Sequence, residues 1–156
     1  MVDLGSGTGV LPLVMCEKGG FGSIIKDSKI YSIDSYPRSV TATKINTQIF
    51  GHASKHTAIE TDLVDLYFTE RTSGSANELN FYKNVSSELG LPFSVDLIVC
   101  NPPWVPANAL PETSPLDNGV YDASNQEFLK SALNFARIHL DKAEGEMLLI
   151  FSDLGY

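Results

Sequence analysis

The feature that most restricts how this chain can fold is the stretch from Val95 to Val105. Val95-Asp96-Leu97-Ile98-Val99-Cys100 reads as a buried strand, and Asn101-Pro102-Pro103-Trp104-Val105 follows at once. Two successive prolines lack backbone N–H groups and have φ fixed near −65°, so they cannot continue a central ladder. The strand must stop there and expose a rigid ledge. That ledge offers an amide oxygen from Asn101, free backbone carbonyls and the flat face of Trp104. Such a set suits a planar group bearing an NH2, an amide or a nucleobase.

A second stretch lies at the start of the chain. Met1-Val2-Asp3-Leu4 resembles the end of a buried strand, followed by Gly5-Ser6-Gly7-Thr8-Gly9. Alternating glycines let a backbone turn tightly and approach a ligand closely. The apolar run Val10 to Cys16 then predicts a short helix, with Pro12 tolerable only in its first turn. Strand, glycine loop and helix form a ligand-binding arrangement, although a plain tight turn has the same local pattern. The spacing is not that of a dinucleotide fingerprint, which needs glycine where this chain has Val10. No G-x-x-x-x-G-K-[ST] string occurs either. Asp3 at the strand end would repel a phosphate but could receive a cationic amine, directly or through water.

Further acids fall at the ends of the next strands. Lys29 to Asp34 predicts a second strand ending in an acid, a place that holds ribose hydroxyls in an α/β crevice. Tyr36-Pro37 leads into a helix with Val40, Ile45 and Ile49 roughly along one face. Thr57 to Glu60 is a weaker third strand. Asp62 after it could accept a hydrogen bond from a base edge, while Asp65 reads as a solvated or capping acid. His52 and His56 are four apart, but no Cys or acid nearby completes a ligand set, so no metal site is expected.

Thr69 to Leu89, rich in Ser, Asn and Glu, predicts a surface excursion with at most one short helix. Val105 to Gly119, with Pro106, Pro111 and Pro115, predicts a non-regular loop over the site. Asn125 to Leu140 is the clearest helix: Phe128, Leu129, Ala132, Leu133, Ala136 and Leu140 share one face. Gly145 to Phe151 reads as a buried strand. Strand–helix repeats of this kind predict an α/β fold, a largely parallel sheet with helices on both faces. Gly5 to Gly9, Asp34, Asp62 and Asn101 to Trp104 would all follow strand C-terminal ends, where open α/β sheets bind ligands.

Composition narrows the partners. The 156 residues, 43% hydrophobic, fit one domain spanning 1–156. The net charge of −8, with only 11 basic residues, disfavours gripping a nucleic-acid backbone. No apolar run approaches the roughly 20 residues that cross a bilayer, and the first fifteen residues contain an acid and a Gly cluster but no basic n-region of a signal peptide. Cys16 and Cys100 lie in apolar segments and read as buried free thiols rather than a disulfide. The expectation is a cytoplasmic chain.

With these residues in view, the sequence resembles the class I S-adenosylmethionine-dependent methyltransferases, specifically the amino-methyltransferases with an [N/D]-P-P-[aromatic] motif. Asp3-Leu4-Gly5-Ser6-Gly7-Thr8-Gly9 resembles their first motif, D-x-G-x-G-x-G, and Asn101-Pro102-Pro103-Trp104 their catalytic motif. The resemblance implies a Rossmann-like methyltransferase fold with S-adenosyl-L-methionine as cofactor. It implies cofactor contacts from Asp3, Gly5, Ser6, Gly7, Gly9, Asp34, Tyr36, Asp62 and Asn101. Catalytic roles fall on Asn101, Pro102 and Trp104: the Asn101 side-chain oxygen and the Pro102 carbonyl accept the two N–H bonds of the methyl acceptor, and Trp104 stacks on it. No metal is implied.

Val105-Pro106 after the motif resembles the protein-glutamine N5-methyltransferases that act on peptide-chain release factors, although Trp104 stands where that subgroup usually carries Tyr. Adenine or guanine in RNA or DNA is the alternative acceptor, and a small-molecule amine or thioether a third. A methyltransferase-like domain that binds a partner without turnover is the alternative of a different class. The family usually has seven strands, the last two a hairpin, and only five are countable here. The expectation is therefore a partial domain lacking the C-terminal hairpin, its last strand covered by a missing flanking segment or a homodimer.

Overall fold

The computed structural model describes residues 1–17, 28–68, 75–102, 105–106, 121–122 and 127–150. In chain order the elements are β1 (Val2–Leu4), α1 (Val10–Cys16), β2 (Ile30–Asp34), α2 (Pro37–Ile49), β3 (His56–Glu60), α3 (Leu63–Tyr67), α4 (Ala76–Leu89), β4 (Leu97–Cys100), β5 (Val105–Pro106), β6 (Tyr121–Asp122), α5 (Glu127–His139) and β7 (Glu146–Leu149). Five strands form one sheet in the order β3-β2-β1-β4-β7, and every pairing in it is parallel. From β1 the chain winds outward through β2 to β3, then returns to β4 on the other side of β1. The winding direction therefore reverses between β1 and β4.

Alternation along the strands divides the sheet into two unlike faces. Val2, Leu4, Ile33, Ile59, Ile98 and Cys100 join the main core with residues of α3, α4 and α5. The other face carries Asp3 opposite Ser32 and Val99, and its apolar cluster is small: Met1, Met15, Ile30 and Val99. The expected parallel sheet with helices on both faces is the observed architecture.

The main core is aromatic. Tyr67 stacks on Tyr82 at 4.9 Å and meets Phe135 edge-on at 5.1 Å. His139, at the end of α5, is buried among them. Its Nδ1 lies 3.0 Å from the Phe93 carbonyl, which can only accept, so Nδ1 carries the proton. Nε2 then accepts from the Tyr67 hydroxyl at 2.8 Å. Burial pushes the His139 pKa down to about 4 and the Tyr67 hydroxyl up.

Four expectations need correction. Within the expected excursion, Ala76–Leu89 is a 14-residue helix that buries Tyr82 and Val85. Its polar sequence hides the pattern, but Ser75 caps it by accepting the Glu78 N–H at 3.1 Å, and Gly90 ends it in the left-handed region. Residues 69–74 lie outside the described residues. On α2 the buried side chains are Val40, Thr43 and Thr47, not Val40, Ile45 and Ile49; Ile49 is 72% exposed. On α5, Leu133 is exposed while Ser131 and Phe135 are buried. Strand β7 is an edge strand with Leu148 and Ile150 exposed, rather than a fully buried one.

Smaller differences follow. Leu63–Tyr67, left unassigned by pattern, is a short helix. Val105–Pro106 pairs in parallel with Tyr121–Asp122, where an irregular loop was expected; residues 107–120 lie outside the described residues. Cys16 and Cys100 are both free, Cys16 being only half-buried.

Replacing Tyr67 by Phe keeps the ring packing and removes the donor to His139. The buried Nε2 then has no partner, and stability should fall by about 1–3 kcal/mol. A urea midpoint unchanged from the parent would contradict this account of the core.

Candidate functional site

Leu4 and Cys100 are register partners at the ends of β1 and β4. The glycine loop and the Asn101-Pro102 ledge therefore start side by side. They flank the point where the winding reverses, which is where open α/β sheets form their ligand crevice. Asp34, at the end of the neighbouring β2, joins the same rim.

The loop is tied down by hydrogen bonds. The Gly5 and Ser6 N–H groups both donate to the Ile33 carbonyl, at 2.9 and 3.0 Å, and the Gly9 N–H donates to Ser6 O at 2.8 Å. The Gly7 N–H donates to Asp34 Oδ2 at 2.8 Å. Asp34 Oδ1 accepts from the Tyr36 N–H at 2.8 Å, so one carboxylate joins the loop to the start of α2. Gly7 and Gly9 have φ of 55° and 73°, values that side chains with a Cβ rarely adopt. A Cβ on Gly9 would also lie 2.8 Å from Thr43 Cγ2, and one on Gly5 would lie 2.9 Å from Phe128 Cζ.

With those bonds made, Thr8 is the one loop residue whose amide has no partner among the described residues. A phosphate cradle needs several free amides pointing at one spot. This loop has spent them, and it sits between carboxylates.

Asp3 completes that picture. It is fully buried, and neither carboxylate oxygen has a hydrogen-bond partner among the described residues; the same holds for Ser6 Oγ. Burial, and then the charge of Asp34, push its pKa up to about 7. It lies sealed at the foot of the loop. Burial, and then the Asp3 charge, also push the Cys100 thiol up to about 12, which keeps it protonated and unreactive.

The other expected residues are placed as follows. Asn101 is exposed and its side chain makes no hydrogen bond among the described residues; Pro102 is buried. Pro103 and Trp104 lie outside the described residues. Tyr36 is exposed and precedes α2, with Pro37 in the helix's first turn. Asp62 is the N-cap of α3, its Oδ1 accepting the Val64 N–H at 2.8 Å, the capping role that the sequence had suggested for Asp65. His56 opens β3 and its Nε2 lies 2.7 Å from Ser32 Oγ, while His52 lies 3.7 Å from Glu17. Among the described residues no group of three or more His, Cys, Asp or Glu side chains is placed to hold a metal ion. No described helix is long and apolar enough to cross a membrane.

Three contributors escaped the sequence reading. Thr43 and Asn46 donate to loop carbonyls, and Phe128 lies against Gly5. Only the buried threonines at helical spacing, Thr43 and Thr47, could have signalled the first of these.

Comparison with known proteins bears on the architecture. No family model matches the chain, and no curated protein matches it. Solved structures do. One is a candidate O-methyltransferase of Nostoc punctiforme, with a TM-score of 0.53 and 12% identity over 95% of this chain. Another is Haemonchus contortus phosphoethanolamine N-methyltransferase 1 bound to phosphoethanolamine and S-adenosylhomocysteine, with a TM-score of 0.50 and 20% identity over 95% of this chain. The fold is a Rossmann-like methyltransferase fold. This chain spans 31% of the first protein and 21% of the second.

The raised pKa of Asp3 has a definite sign. Between about pH 4, where an unfolded aspartate ionises, and about 7, the folded chain holds a proton that the unfolded chain has lost. Stability contributed by Asp3 is therefore lost as pH rises through that window. His56, pushed down to about 4 by burial and then by His52, and His139 act oppositely, favouring the fold as pH rises from about 4 to 6.5. Asp3→Asn should remove the first contribution and leave the second, so that melting temperature rises more steeply with pH between 5 and 7 than in the parent. Identical slopes in the two proteins would place the Asp3 titration elsewhere.

Proposed function

We propose that this chain is the cofactor-binding and catalytic core of an S-adenosylmethionine-dependent N-methyltransferase acting on a planar NH2 nitrogen. The acceptor we assign is a glutamine side-chain amide of a protein such as a peptide-chain release factor, and the compartment is the cytoplasm. The observation that carries the reading is the electrostatic character of the crevice: a glycine loop with its amides already bonded, set over a buried and unpartnered Asp3. The Haemonchus structure of the same fold holds S-adenosylhomocysteine, which is consistent with that cofactor class.

The residues present fit this cofactor. An ammonium group near the loop would favour the ionised form of Asp3, whose carboxylate has no hydrogen-bond partner among the described residues. Asp34 retains lone pairs beyond those used by Gly7 and Tyr36, and these suit ribose hydroxyls. When bound, S-adenosylmethionine supplies an electrophilic methyl group on sulfur. The task left to the chain is to orient a nitrogen whose lone pair is delocalised. Asn101 Oδ1 and the Pro102 carbonyl would accept its two N–H bonds and favour the geometry in which positive charge develops on nitrogen. The prolines fix these acceptors and remove competing donors. Trp104 is assigned to stacking from its place in the motif. A net charge of −8 favours a protein acceptor over a phosphate-bearing one. Asp62, with one oxygen engaged in the helix cap, has the other for an adenine edge.

Calorimetric titration of the folded chain with S-adenosylmethionine should give saturable binding in the micromolar range, lost in Asp34→Ala and Gly7→Val. Asn101→Ala should keep that binding and reduce methyl transfer to a release-factor protein by about 100-fold or more. Transfer to RNA or DNA in place of the protein would assign the acceptor as a nucleobase amine. Cofactor binding with no transfer to any acceptor would indicate a binding domain. Absence of cofactor binding by a folded parent would sink the proposal.

A further inference from the structure

Helix α2 packs against β2 and β3 in a way that apolar burial does not explain. It turns Thr43 and Thr47 inward with Val40, and leaves Ile45 and Ile49 in solvent. Burying isoleucine in place of threonine would stabilise such a helix more. Thr47 uses its hydroxyl within the helix, donating to Lys44 O at 3.0 Å. Thr43 does not: its Oγ1 donates to the Gly7 carbonyl at 3.1 Å. One turn further on, Asn46 Nδ2 donates to the Thr8 carbonyl at 2.9 Å.

Together with Asp34 these bonds hold the loop's centre from both sides. The Gly7 N–H is bonded to Asp34 and the Gly7 carbonyl to Thr43. Both peptide planes flanking Gly7 are thereby fixed at the residue with the widest conformational freedom. Thr43 Cγ2 also fills the space that a Cβ on Gly9 would take, so one side chain bonds to Gly7 and packs on Gly9.

We propose that Thr43 and Asn46 are positioning residues, which hold the Gly5–Gly9 loop from α2 in the shape that receives the cofactor. The inference rests on the cofactor reading above and extends it to two side chains outside the crevice. The two groups of Thr43 can be separated. Thr43→Val keeps its shape and removes the hydroxyl; Thr43→Ser keeps the hydroxyl and removes the methyl. Asn46→Ala suits a helix and removes only the donor. Ile49→Ala alters the exposed side of the same helix and serves as the control.

The test is calorimetric titration of the full chain with S-adenosylhomocysteine, with melting temperature recorded for each variant. Thr43→Val and Asn46→Ala should each bind about fivefold more weakly, the scale of one hydrogen bond. Thr43→Ser should stay within about twofold of the parent, since the hydroxyl is retained. Ile49→Ala should bind as the parent does. Should Thr43→Val fail to fold, Asn46→Ala carries the same expectation. Parent-like affinity in Asn46→Ala, or equal weakening in Ile49→Ala, would overturn the inference while leaving the cofactor reading intact. A parent that binds nothing would defeat the cofactor reading instead. The clamp is then judged by amide hydrogen exchange at Gly7: faster exchange in Asn46→Ala supports it, and an unchanged rate overturns it.

Discussion

The parallel pairing of β1 with β4 is the constraint on which the site depends. It places Leu4 beside Cys100, and so places the residues that follow each of them beside one another. A glycine loop and the Asn101-Pro102 segment, far apart in sequence, thus start side by side at one end of the sheet. Because winding reverses at this pair, a crossover helix need not close the gap above it. A shift of register would move Asp3 to the opposite face of β1, into the apolar core, at a large cost in desolvation.

The two faces of the sheet divide the work. The face carrying α3, α4 and α5 is apolar and aromatic, and its one buried imidazole has both nitrogens partnered. That face supplies most of the hydrophobic stabilisation. The other face carries Asp3, Ser32, Thr43 and Thr47, all buried. Its apolar cluster is small, and polar contacts add to it: Thr43 donates to the Gly7 carbonyl and Ser32 Oγ lies 2.7 Å from His56 Nε2. Aromatic packing and the bonds that hold the glycine loop are thus carried on opposite sides of the same strands.

Much of this was legible in the sequence. The five strands of the sheet follow from apolar or β-branched runs, three of which end at Gly, Asp or Asn-Pro. Such signals are local, because a strand must stop where its donors or its allowed dihedrals run out. What could not be read is what depends on contacts between elements. Ala76–Leu89 is polar enough to pass for a surface excursion, and only its packing of Tyr82 against Tyr67 makes it part of the core. Helix α2 misleads by its isoleucines: its buried face holds Val40, Thr43 and Thr47, and Thr43 there reaches a loop carbonyl. The bonding of Asp34 to a backbone amide 27 residues away, and the isolation of Asp3, likewise have no local signature.

The spent amides of the glycine loop would also determine what the proposed site turns away. Adenosine di- and triphosphates carry the same adenosine as the proposed cofactor and would be the natural competitors for a pocket that recognises it. Here their phosphates would meet Asp34 and the field of Asp3, with almost no backbone N–H left to hold them. Selectivity against the most abundant adenosine compounds would then be a property of the resting backbone, present before any ligand arrives and needing no side chain devoted to exclusion.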